Sequence, residues 1–83
     1  MESGKELGKD ILQVVENQLR ENDPPETRAT LSRLVAEGRS EPEAKRLIAC
    51  VVAAEIFDVL KSRRSYDHDR YVAALAELPE LPG

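Results

Sequence analysis

Two carboxylates, Glu55 and Asp58, interrupt the most apolar run of the chain, Leu47 to Leu60 (LIACVVAAEIFDVL), and no residues here are better placed to do chemistry. A charge inside such a run is costly unless it is paired, hydrogen-bonded or turned to solvent. Three positions apart, the two share one side of a helix. Glu16, in an earlier helical segment, comes opposite them if the segments pack antiparallel. Carboxylates projecting from facing helices are the raw material of di-metal sites, which add histidine through Glu-x-x-His spacing. Neither Glu16 nor Glu55 is followed by histidine at i+3, and the one histidine, His68, lies in Asp67-His68-Asp69-Arg70. The candidate metal ligands are therefore Glu16, Glu55, Asp58 and His68. The plainer reading puts Glu55 and Asp58 on an exposed strip, paired with arginine or lysine, and makes His68 part of a solvated helix start. No catalytic residue is assigned, because nothing orders serine and histidine into a nucleophile–base pair. Neither a phosphate-binding glycine loop nor a Cys/His cluster occurs, and no cofactor is implied.

The elements that position these residues read as helices. The run 47–60 is too long for a typical buried strand. Its apolar residues point in nearly every direction, as in a helix wrapped by other elements. The start signal is Ser40-Glu41-Pro42-Glu43, with Ser40 as cap and Glu43 three residues on. This third helix spans about 41–62, and its basic end, Lys61, Arg63 and Arg64, suits the negative pole of the helix dipole. Upstream, Leu7, Ile11, Leu12, Val14, Val15 and Leu19 recur at helical spacing and define a helix over about 6–21, with Met1 to Gly4 as a frayed lead-in. Asn22-Asp23-Pro24-Pro25 ends it and opens a second helix, about 24–37, with Asp23 as the expected cap. Ala29, Leu31, Leu34 and Val35 are expected to face inward, and Gly38 to supply the left-handed stop. Asp67 caps a fourth helix, about 67–78, with Tyr66 and Tyr71 as a hydrophobic staple and Ala74, Leu75 and Leu78 inward. Pro79 and Pro82 close the order, leaving short disordered ends. The fold expected is an all-α, compact four-helix domain, three helices packed around a long, mostly buried third helix.

With 83 residues there is room for one domain, which buries only about 60–65% of its unfolded surface. The single cysteine, Cys50, excludes an intramolecular disulfide and is expected to pack as a small hydrophobe. The net charge of −4 argues against nucleic acid, since phosphate binding wants a positive surface. The turn at Glu37-Gly38-Arg39-Ser40 suggests a helix-turn-helix, but the helix after it presents Leu47, Ile48, Val51 and Val52 where base-reading side chains belong. No apolar segment is long enough to span a membrane, and MESGKELGKDIL lacks the apolar region of a signal peptide. A cytoplasmic location is expected.

Val15-Glu16-Asn17-Gln18-Leu19, then Asp23-Pro24-Pro25-Glu26-Thr27-Arg28, Thr30-Leu31, Arg33-Leu34, Glu37-Gly38, Glu43-Ala44, Ala54-Glu55-Ile56, Leu60-Lys61 and Tyr71 form an ordered series. In that series the chain, over about residues 9–78, resembles a bacterial family of small all-helical domains of unknown function. The resemblance implies a compact all-α domain and no established activity. Such relatives carry histidines upstream of the VENQ element and a His-Glu-Ala-x-His element opening the long helix. Here Leu12 precedes VENQ, and Pro42 and Arg46 flank Glu43-Ala44, so the acidic positions remain without the imidazoles.

Function is expected to be association, as a non-enzymatic protein–protein interaction or self-association module, because an apolar helix in so small a chain has little mass to cover it. A protein partner or homo-oligomer is implied. The alternative is a divalent-metal-binding or hydrolytic domain, which requires Glu16, Glu55 and Asp58 to converge, with His68 as a further candidate ligand.

Overall fold

The computed structural model describes residues 3–82, and side chains from residue 8 onward. It consists of α1 (Ser3–Glu21), α2 (Pro25–Ala36), α3 (Glu41–Ser62) and α4 (His68–Glu77). The architecture is all-α, as the periodicity predicts. α3 packs against each of the other three helices, and α2 does the same; among the described residues the backbones of α1 and α4 stay apart, and the two helices meet through side chains. The expected lead-in is helical at Ser3 and Gly4, while Met1, Glu2 and Gly83 lie outside the described residues.

Each turn is closed by a local device. At the end of α1, Asn22 takes the left-handed conformation (φ 51°), and the N–H groups of Asn22 and Asp23 donate to the carbonyls of Leu19 and Gln18 at 3.3 and 3.0 Å. Asparagine here fills the role glycine usually takes at a helix end. α2 opens at Pro25, one residue later than expected, so Asp23 lies before the cap position and does not cap it. Instead Pro24 holds the cap position with no side-chain cap bond, a correction to the sequence reading. Gly38 ends α2 at φ 108°, with Gly38 N–H on Val35 O and Arg39 N–H on Leu34 O. Any side chain at that φ adds backbone strain. Ser40 Oγ accepts from Glu43 N–H at 3.2 Å, and Asp67 Oδ1 from Arg70 N–H at 3.0 Å, as expected. The Tyr66 and Tyr71 rings lie 6.0 Å apart, in the staple arrangement around that cap.

Val15, Leu19, Leu31, Leu34, Ala44, Ile48, Val51, Val52, Tyr71, Leu75 and Leu78 form one core. Burial of each large aliphatic side chain contributes about 1.5–3 kcal/mol. On α2 the inward line is Thr27, Thr30, Leu31 and Leu34, whereas Ala29 and Val35 are exposed. The two threonines enter the core because each hydroxyl finds an acceptor there, one within α2 and one on α1. Thr30 Oγ1 donates to Glu26 O at 2.7 Å, and Thr27 Oγ1 to Gln18 Oε1 at 2.8 Å. Tyr71 OH donates to the same Gln18 oxygen at 2.9 Å, so one amide ties α2 and α4 to α1.

The expectation that α3 is mostly buried holds along one face only. Ala44, Ile48, Val51 and Val52 are buried, but Ile56, Phe57 and Leu60 are 42%, 63% and 70% exposed. Cys50 is exposed rather than packed. Cys50, in mid-helix, and Phe57 lie on the face turned away from Ala44, Ile48, Val51 and Val52, and length adds to the exposure of the last turns. At about 1.5 Å per residue, the 22 residues of α3 outreach the 12 of α2 and the 10 of α4.

Candidate functional site

Glu55 and Asp58 do meet, but around a cation supplied by α4. Arg70 Nη2 and Nε donate to Glu55 Oε2 and Oε1 at 2.7 and 3.1 Å, and the same Nη2 lies 2.9 Å from Asp58 Oδ2. Arg64 Nη2 reaches Asp58 Oδ2 at 3.2 Å. The order Glu55–Arg70–Asp58–Arg64 alternates in sign, so each carboxylate is neutralised by a guanidinium. A fork of two parallel N–H bonds on one carboxylate is the strong form of such a pair. Asp67, which caps α4, also points its N–H at Glu55 Oε2, at 3.4 Å. The Arg70 hydrogen bonds hold the Glu55 carboxyl below its ordinary pKa, assisted by the Asp67 N–H and opposed by burial and by Asp58. Glu55, only 11% exposed, thus fastens the start of α4 to the middle of α3.

Glu16 and His68 lie elsewhere. Glu16 Oε2 accepts from Lys45 Nζ at 2.9 Å, and Lys45 also approaches Glu41 at 3.3 Å. The Glu16 hydrogen bond is the main cause of an upward shift of the Lys45 pKa. His68 Nδ1 is 3.2 Å from Tyr66 OH, and its Nε2 is 3.9 Å from Glu26 Oε1. That oxygen is buried and takes no hydrogen bond among the described residues. The four sequence candidates are therefore not assembled into one site: Glu55 and Asp58 share Arg70, Glu16 takes Lys45, and His68 sits beside Tyr66. Among the described residues, no three His, Cys, Asp or Glu side chains are arranged to hold a metal ion.

What the structure does present is an apolar surface on the far half of α3. Cys50, Ala53, Phe57 and Leu60 recur at spacings of three and four along its outer line, with Ile56 beside them and Arg46 and Arg64 at the two ends. Phe57 forms one lip of an open cleft of about 460 Å³, lined also by Val51, Ala54, Ala74 and Pro82, with Lys61 and Arg64 on its rim. Tyr66 (54% exposed) and Val14 (37%) border a second hollow with Ile56, so the apolar surface continues across to α1. The sequence already signalled this surface, since an all-round apolar helix exposes apolar residues wherever its neighbours stop. No helix of the described residues is long and apolar enough to cross a membrane. Comparison with family models, with curated proteins and with solved structures finds no match for this chain.

Proposed function

We propose that the protein is a non-enzymatic helical interaction module that associates, with itself or another protein, through the uncovered face of α3. The observation that carries this reading is the exposure of Phe57 and Leu60 inside the chain's most apolar run. Clustered exposed apolar side chains rimmed by charge mark interaction surfaces, whereas scattered ones need no explanation. A buried aromatic anchor with a charged rim is also the usual anatomy of a binding patch. The resemblance to the bacterial family of small helical domains belongs to the same proposal. Here the VENQL run serves the fold: Val15 and Leu19 enter the core, Glu16 takes Lys45, and Gln18 holds Thr27 and Tyr71. A cytoplasmic, reducing setting goes with this reading, since an exposed Cys50 stays a thiol there.

The test compares the wild-type chain with Phe57→Glu and Leu60→Glu, by sedimentation and by crosslinking in a cell extract. Both residues project to solvent, so thermal stability should stay within about 0.5 kcal/mol while association is lost. Equal association by wild type and both variants contradicts the reading.

A further inference from the structure

The exposed strip of α3 is one wall of a cleft whose two sides differ in shape and charge. On the α3 side Phe57 protrudes, 63% exposed, with Lys61 one turn further on and Arg63 and Arg64 beyond it. The opposite side is lined by Arg70, which Glu55 and Asp58 hold, and by Ala74 and Pro82, small groups that leave room beside the ring. Glu77, Glu80 and Leu81 adjoin that side, lining a smaller hollow that shares Ala74 and Pro82 with the cleft. Among the described residues Lys61, Glu77 and Glu80 take no ion-pair partner, whereas Arg64 and Arg70 are engaged by Asp58 and Glu55. A protruding ring, a hollow next to it, and free charges of opposite sign on the two sides all belong to one patch.

A two-fold interface uses the same patch twice, so that patch must be complementary to itself. An axis running along the cleft exchanges its sides: the α3 side of one copy meets the chain-end side of the other. We propose that this cleft is a docking site for a second copy of the chain. Phe57 of each copy fills the hollow of the other, and Lys61 of each approaches Glu77 and Glu80 of the other. This rests on the association reading above and narrows its partner to the chain itself. A bare apolar strip suits many partners; the reversal of charge across the cleft favours a copy.

The experiment is sedimentation equilibrium of the full chain at low salt, from micromolar to millimolar concentration, on wild type and two charge-reversed proteins. One carries Lys61→Glu, the other Glu77→Lys with Glu80→Lys. All three positions are exposed, and circular dichroism melts verify that the variants fold. Wild type is expected to form a reversible dimer. Each variant alone juxtaposes like charges and should dimerise at least about tenfold more weakly. Mixed one to one, the two variants restore both cross-cleft pairs and should dimerise like wild type. A dimer that the mixture does not restore overturns the proposed cleft geometry and leaves the association reading standing. A wild type that stays monomeric overturns self-docking. In that case, a crosslinked partner lost with Phe57→Glu preserves the association reading for another protein, and no such partner removes both.

Discussion

Arg70 grips Glu55 with two parallel hydrogen bonds, 2.7 and 3.1 Å, across the junction of α3 and α4. This pair converts the most suspicious carboxylate of the sequence into a clasp. It also explains how an acid is accommodated in an apolar helix: the charge is not in the core but at its margin, with its counter-charge carried by the next helix.

The clasp makes stability depend on pH in a definite direction. Glu55 has its folded-state pKa lowered, chiefly by Arg70. A carboxyl of that kind contributes stability that is fully present above its unfolded value, about 4.3, and lost as pH falls through the folded value. Glu55→Gln should therefore lower the melting temperature at neutral pH and converge with wild type in acid. Melts across the acid range check this, and a difference that is unchanged in acid contradicts it.

Gln18 is the second fastening. Its Oε1 accepts from Thr27 Oγ1 at 2.8 Å and from Tyr71 OH at 2.9 Å, joining three helices at a buried point. Tyr71→Phe removes one bond and should destabilise by about 1 kcal/mol. Paired with Gln18→Ala in a double-mutant cycle, the coupling should be of the same order. Burial raises the Tyr71 pKa, so the neutral phenol's contribution is present below its unfolded value of about 10 and is lost as pH rises through the folded one. Chemical denaturation of the four proteins measures the coupling, and additive effects refute the shared acceptor.

Metal ions should not stabilise the fold. A ligand that binds only the native state at about 100 times its Kd adds roughly 2.7 kcal/mol, which is several degrees for a domain of this size. With Glu55 and Asp58 held by arginines and Glu16 by Lys45, melts with Zn²⁺, Mn²⁺ and Fe²⁺ should superimpose on the metal-free melt. A shift abolished by Glu55→Gln would reinstate the metal reading.

The helices and their turns were legible because they are written locally. Ser40, Gly38 and Asp67 announce boundaries through side-chain oxygens and backbone freedom that need no tertiary partner. Asp23 misled because α2 opens at Pro25 with Pro24 in the cap position, one residue beyond the start that a cap at Asp23 requires. Thr27 and Thr30 were not recognisable as core residues, since their partners, Gln18 and the Glu26 carbonyl, appear only once the helices are packed or wound. That Glu55 and Asp58 pair with basic side chains was legible in the sequence; which residues those are was not. Which cation reaches Glu55 depends on where α4 turns back. Cys50 and Phe57 look like core in sequence, but they lie on the face of α3 opposite its buried line.

The surface of α3 is the centre of this account, and a dilution series of amide and methyl NMR spectra tests it most directly. As concentration rises, signals of Ala53, Ile56, Phe57, Leu60 and Lys61 should shift together, along with Ala74, Glu77 and Glu80 across the cleft. Val35, exposed on α2, should stay fixed. Spectra that do not change at these positions up to millimolar concentration, or shifts that gather around Val35 instead, would contradict self-association through α3.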